Sequence, residues 1–273
     1  MKYYSDDHLN IVDLKITDLP QVLNLKPADW GDILPAFKFY LQTEYCISLI
    51  ALINNKIVGT GTIIFHSNVA WLAHIMVHSE YRNQGIGAKI TKSLIDLGLT
   101  KVSTIVLLAT DLGKPVYSSL GFQYIEEYLF FNNTSISFEL SDKIIPYSDN
   151  HKQSILHLDE MITGEKRKVF LDSHLNKSFI INNEDGLAGI YYSGFGEGLI
   201  LANDLNVGIE LLKFRLLDGK PMALPSSNIL AIEFLTKNGV TINKAKTVYR
   251  MVYGRPIDWK PNQIFGRFGG NLG

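Results

Sequence analysis

Apolar runs set between short polar breaks divide the chain into two stretches of similar layout. In the first, C-I-S-L-I-A-L-I at 46–53 and the runs at 57–65, 69–77 and 102–108 predict strands. Tight polar turns at Asn54-Asn55 and Ser67-Asn68 separate the first three. Residues 10–16 and 122–131 add strands at either end. Ile86, Ile90, Leu94 and Leu97 recur at helical spacing, so 87–97 predicts a helix that Gly98 is placed to end. Residues 19–25, 30–41 and 112–120 are further helical candidates. Strands alternating with helices predict an α/β (α+β) domain, and the hairpin-like strands before the long helix make its sheet mixed and partly antiparallel. This domain spans 1–140, and S-D-K-I-I-P-Y-S-D-N at 141–150 reads as a linker.

The second stretch, 141–273, repeats the order. Helices are expected near 152–158 and 166–175, strands at 179–182 and 187–192 around a turn at 183–185, a strand at 199–202, helices at 207–217 and 226–238, and a strand through 249–253. N-G-V at 238–240 lines up with L-G-F at 120–122, and the helix at 208 with the helix at 87. A spacing of about 120 residues points to a tandem repeat of one domain. G-F-G-E-G at 194–198 reads as a hairpin turn. The Gly-rich stretch 266–270 is either a flexible tail or a strand returning to the sheet.

Composition narrows the function classes. The 273 residues are 46% hydrophobic and 19% charged, with a net charge of −1, which suits a packed globular chain rather than a disordered one. A chain this close to neutral lacks the positive field for non-specific nucleic-acid binding. No apolar run reaches the roughly 20 residues of a membrane span, and M-K-Y-Y-S-D-D-H-L-N carries no leader-like apolar stretch, so a cytoplasmic location is expected. The single cysteine, Cys46, lies in a strand-like run and reads as structural. The seven histidines are scattered, no metal-ligand spacing occurs, and no metal is expected.

The sharpest local pattern is H-I-M-V-H-S-E-Y-R-N-Q-G-I-G-A-K-I at 74–90. A strand ends at Val77, a loop carries Arg82, Gly85 and Gly87, and a helix follows at once. Main-chain N–H groups at such a helix start converge on one point and suit a diphosphate, with Arg82 adding charge. The P-loop is excluded, because Gly87 is followed by Ala88-Lys89-Ile90 rather than Lys-Ser or Lys-Thr. A dinucleotide fingerprint is excluded because Ile90 stands where its third glycine belongs. A glycine turn serving only compactness is the plain alternative.

R-N-Q-G-I-G resembles the [R/Q]-x-x-G-x-[G/A] diphosphate loop of the GNAT superfamily of N-acyltransferases. The block A-T-D-L-G-K-P-V-Y-S-S-L-G-F at 109–122 resembles that family's N-x-x-A-x-x-[LV]-Y-x-x-x-G-F block, with Thr110 in place of the common Asn and Gly113 in place of the common Ala. The likeness covers about 9–140. It implies acetyl-CoA as cosubstrate, main-chain contacts to the pantetheine arm from Met76 and Val77, and Arg82, Gln84, Gly85, Ile86, Gly87 and Ala88 around the phosphates. It further implies Tyr117 as the acid for the leaving thiolate, a phenol being protonated at neutral pH, with packing in the core or stacking on the cofactor as the alternative. His74, on the expected central strand, is a candidate base or proton relay, with a buried core histidine as the alternative. Trp30 falls in the region that covers the acceptor groove in this family, or else is core.

In the second stretch Asn203 replaces Arg82, Asn206 replaces Gly85 and Leu235 replaces Tyr117 when Gly208 is set over Gly87. That half therefore resembles the degenerate C-terminal GNAT-like domain of bacterial two-domain acetyltransferases. The function implied is acetyl transfer from acetyl-CoA to a primary amine of a small molecule. The alternatives are acetylation of a protein lysine or N-terminus, and an acyl-CoA-binding regulatory protein without turnover.

Overall fold

A computed structural model describes residues 9–28, 30–132, 135–194 and 196–271. Residues 1–8, part of the stretch read as carrying no leader, lie outside them, as do Phe195 of the 194–198 turn and residues 272–273. The first stretch runs β1 (Leu9–Asp13), α1 (Leu19–Leu23), α2 (Leu34–Gln42), β2 (Cys46–Ile53), β3 (Lys56–Phe65), β4 (Ala70–Val77), α3 (Ile86–Leu99), β5 (Thr104–Ala109), α4 (Lys114–Ser119) and β6 (Gln123–Phe131). The second runs β7 (Ile145–Pro146), α5 (Lys152–Thr163), α6 (Lys168–Leu171), β8 (Ser178–Asn183), β9 (Gly186–Tyr192), β10 (Ile200–Ala202), α7 (Leu205–Leu216), β11 (Met222–Pro225), α8 (Ile229–Lys237), β12 (Ile242–Gly254) and β13 (Ile264–Gly266).

The mixed, partly antiparallel sheet flanked by helices is present, and so is a second sheet. The strand orders are β1-β2-β3-β4-β5-β12-β6-β11 and β13-β10-β9-β8-β7. The final strands of the two halves are exchanged. β12 of the second half inserts beside β5, with Tyr249 opposite Ala109 and Gly254 opposite Thr104. β6 of the first half pairs with β11, with Phe131 opposite Met222. β12 and β6 then pair with each other. A cut at 140/141 therefore passes through one shared sheet.

Several elements differ from the sequence reading. The helix expected over 30–41 starts at Leu34, because Pro35 favours a helix's first turn and the Asp32 carboxylate caps the Leu34 N–H at 2.9 Å. Trp30 lies ahead of it. The helix expected over 166–175 is only α6, followed by a 3-10 turn at Leu175–Lys177. The 141–150 linker contains β7, whose Pro146 is tolerated because β7 is an edge strand. β11 and β13 were not read from the sequence, both being short. β13 reaches the Gly-rich stretch only at Gly266, and residues 267–270 beyond it form no strand.

Two apolar layers flank the first sheet. Ile86, Ile90, Leu94 and Ile95 of α3 pack with Ile63, Leu72, Ile105 and Leu107 on one face. On the other, Phe37 and Tyr40 of α2 share a continuous core with Trp71, Ile155, Phe170, Ile190 and Phe268, so this layer is common to both halves. Buried charge sits along the seam. The Glu165 carboxylate accepts from Trp71 Nε1 at 2.8 Å and from Arg250 Nη2 at 2.9 Å. The Arg250 guanidinium lies over the Trp71 and Trp259 rings.

Candidate active site

β4 does not stay with its parallel neighbour. It pairs with β5 only from Ala70 to Leu72, opposite Ile105 to Leu107, although it continues to Val77. The cause is a bulge. Opposite Gly61 of β3, β4 carries two residues, His74 and Ile75, and the register shifts there. His74 takes a φ of 49°, in the left-handed region that residues other than glycine occupy uncommonly. The bend turns Ala73–Val77 away from β5 and leaves a wedge between the strands.

The loop lies at the end of β4. Arg82 is exposed, and its Nε donates to the Val77 carbonyl at 3.1 Å. Gly85 is the N-cap of α3 with a φ of 77°, a conformation that glycine adopts without steric cost, and no side chain caps the helix. A Cβ added at Gly85 would meet nothing within 4 Å, and one at Gly87 would meet only Val77 Cγ2 at 3.6 Å. The start of α3 is thus an open set of main-chain N–H groups, the kind of helix start that attracts anions. Ile86 turns its side chain into the core while Gly87 and Ala88 continue the first turn. Gln84 donates from Nε2 to the Glu80 carbonyl at 3.4 Å.

Tyr117 and His74 lie in separate layers on opposite faces of the first sheet. Tyr117, on α4, packs with the α3-side core and stands edge-on to Phe122 at 5.9 Å. Burial pushes its phenol well above the ordinary range, so it stays protonated. Gly113, in place of the common Ala, touches this ring: an added Cβ would stand 2.8 Å from Tyr117 Cε2. His74 belongs to the opposite layer. Its ring contacts Trp30 at 5.8 Å, Phe37 at 5.3 Å and Tyr40 at 5.6 Å, and its Nδ1 lies 2.9 Å from Tyr40 Oη. Burial lowers its pKa to about 4, so it is neutral at pH 7. Trp30, half-buried, packs against this layer. Among the described residues no contact joins His74 to Tyr117.

Residues 44–124 match the Acetyltransferase (GNAT) domain model. The chain carries a GNAT acetyltransferase domain. No curated protein sequence matches significantly. Among solved structures, a candidate acetyltransferase of Pyrococcus horikoshii is 19% identical, with a TM-score of 0.83 over 100% of this chain and 98% of that one. A GCN5-related N-acetyltransferase of Sphaerobacter thermophilus is 10% identical, with a TM-score of 0.64 over 93% of this chain and 98% of that one. One from Anabaena variabilis is 11% identical, with a TM-score of 0.58 over 97% and 86%. At these identities the likeness is one of fold, and it extends past the GNAT domain into the second half.

The second half closes the equivalent places with its own chain. Asp204 caps α7, accepting from Asn206 N at 2.8 Å and from Val207 N at 3.3 Å. Gly208, set over Gly87, is filled by Phe265: a Cβ there would lie 2.2 Å from its ring. β13 pairs with β10, which stands where β4 stands in the GNAT domain. The sequence reading missed Asp204, although an Asp just before an apolar helix is an ordinary N-cap signal. It also missed Tyr40 and Asn271, whose Nδ2 donates to Tyr40 Oη at 2.8 Å across 231 positions, a contact that leaves no local trace. Cys46 is buried and free, its thiol pushed up to about 11 by burial. Among the described residues no group of three or more His, Cys, Asp or Glu could hold a metal, and no helix is long and apolar enough to cross a membrane.

Proposed function

We propose that this protein is an N-acetyltransferase that moves an acetyl group from acetyl-CoA to a primary amine of a small molecule, with 1–140 as the catalytic unit and 141–273 as a degenerate GNAT-like partner. The observation that carries this reading is the wedge between β4 and β5 leading to the uncapped start of α3. The N–H groups around Gly85, Ile86, Gly87 and Ala88, with Arg82 and Gln84, hold the diphosphate. The main chain of Met76 and Val77 pairs with the pantetheine arm. Acetyl-CoA, when bound, supplies the thioester from which the acyl group is transferred.

Tyr117 keeps its proton on Oη in the buried α3-side layer and delivers it to the departing sulfur. His74, neutral and ringed by Trp30, Phe37 and Tyr40, is the polar group on the acceptor side. The amine nitrogen forms its bond to the acyl carbon as the carbon–sulfur bond breaks, and the surplus amine proton goes to water. Asn271 reaches across this same face from the second half, which favours a small acceptor over a protein chain.

Release of free thiol from acetyl-CoA, measured over matched panels of small amines and peptide amines, tests the proposal. Small amines should react preferentially. Tyr117→Phe should lower kcat about a hundredfold while acetyl-CoA binding in calorimetry stays within twofold. Thiol release confined to peptide amines, or absent throughout, would remove the assignment.

A further inference from the structure

Three side chains from distant parts of the sequence meet in line on the acceptor side of the wedge. Tyr40 of α2 is 2% exposed, so its hydroxyl must satisfy its hydrogen bonds within the protein. Asn271, five positions past β13, donates from Nδ2 to Tyr40 Oη at 2.8 Å. An amide nitrogen has only donors, so the phenolic oxygen accepts here. Among the described residues, the remaining polar neighbour of that oxygen is His74 Nδ1, at 2.9 Å. The Tyr40 proton has one place to go, onto Nδ1. A nitrogen that accepts a proton in a hydrogen bond carries none of its own, and a neutral imidazole then bears its proton on the other nitrogen, Nε2.

We propose that Asn271 is a positioning residue for the acyl-transfer centre: acting through Tyr40, it fixes His74 as the Nε2–H tautomer, a hydrogen-bond donor rather than a base. This rests on the N-acetyltransferase reading and deepens it. A donor on the acceptor side of the wedge suits the carbonyl oxygen of the acyl group, which gains negative charge as the amine attacks. With no bare nitrogen offered, His74 does not take the amine's proton. The second half, which has lost its own binding loop, thereby contributes one side chain to the working site of the first. Burial supports the same picture, because it disfavours the doubly protonated ring that would erase the distinction between the two nitrogens.

The test reads the tautomer directly. The full chain is labelled with 15N-histidine, and the His74 signals are assigned by their loss in His74→Gln. At pH 7 the wild type should show Nε2 protonated and Nδ1 bare. Asn271→Asp replaces the donor by an acceptor, so Tyr40 turns its proton to the new carboxylate and takes a hydrogen bond from Nδ1. In that variant the pattern should reverse, and kcat should fall about tenfold with the acetyl-CoA KM within twofold. Tyr40→Phe, which removes the intermediary altogether, should abolish the preference and leave both tautomers populated. A wild type with bare Nε2, an even mixture, or an Asn271→Asp variant indistinguishable from wild type would each overturn the proposal. The spectra need no acetyl-CoA, so a protein that transferred no acetyl group would still answer the question.

Discussion

The starts of α3 and α7 occupy matching places in the two halves and have opposite character. At α3 the cap is Gly85, in the left-handed region, with open space around it and no side chain satisfying the first N–H groups. At α7 the cap is Asp204, whose carboxylate accepts from two of them. The same contrast holds for the strands. β4 leaves β5 after Leu72, whereas β10 is flanked by β13. One fold thus leaves one helix start open and fills the other with a carboxylate and an aromatic ring of its own. At α7 internal partners satisfy N–H groups that at α3 no side chain caps.

The two halves can be compared only while the seam holds them together, and Glu165 is its buried centre. It is 1% exposed, it binds Trp71 and Arg250 at once, and the β3–β4 turn clasps its neighbours, with Asn68 bonded to Gly164 and Lys166. Burial opposes its ionisation, but the nearby Arg250 and Arg167 guanidiniums outweigh this and keep its carboxyl below the ordinary range. Glu165→Ala leaves the Arg250 charge buried and unpaired, which costs about 3–5 kcal/mol. Urea unfolding should show that loss. A change below about 1 kcal/mol would mean that the seam does not depend on this pair.

His66 lies against the same seam, 5% exposed, its ring on Phe170 and its Nε2 without a partner among the described residues. Burial lowers its pKa from an ordinary 6.5 to about 4, an effect that Glu165 opposes and Arg167 reinforces. The folded state therefore resists a proton that the unfolded state accepts below pH 6.5. Stability is complete above pH 6.5 and declines as pH falls towards 4, by up to about 3 kcal/mol from this group. Partly buried His74, whose pKa burial also lowers to about 4, adds to the decline in the same window. His66→Phe should flatten the decline measured by denaturant titration between pH 7 and 4.5. A slope equal to wild type would move the effect elsewhere.

The contrast between the helix starts is sharpened by one substitution made on both sides. Gly85→Val places a β-branched residue at φ 77° and fills the cradle, so acetyl-CoA affinity should drop about a hundredfold in calorimetry. Asn206→Val, at the aligned position of α7, should leave it unchanged. Equal effects at both positions would place the ligand away from α3.

How far the sequence disclosed this arrangement depends on the range of each cause. The loop at 82–88 was legible because helix start, glycine and arginine act within one turn of chain. The strands β2 to β5 were legible from their apolar runs. The exchange of β6 and β12 was not, since a period of two marks a strand without naming its neighbour. Nor was the bulge at His74, where the left-handed residue is a histidine instead of the glycine that would advertise it. Tyr40 and Asn271 are ordinary residues in their local settings, and only the folded chain brings them together.

The smallest expected effect is also the most discriminating about the second half. Asp204→Ala removes the side-chain cap of α7 and exposes its first N–H groups, which costs about 1 kcal/mol of stability. If the carboxylate alone closed this site, the variant would acquire a second acetyl-CoA in calorimetry. The Phe265 ring still lies against Gly208, and β13 still lies along β10, so neither the first turn nor the strand edge becomes free. The variant should therefore unfold slightly earlier and bind acetyl-CoA with unchanged stoichiometry. A doubled stoichiometry would show that one carboxylate separates the silent half from the active one, and would make the packing of Phe265 a consequence of that closure instead of its cause.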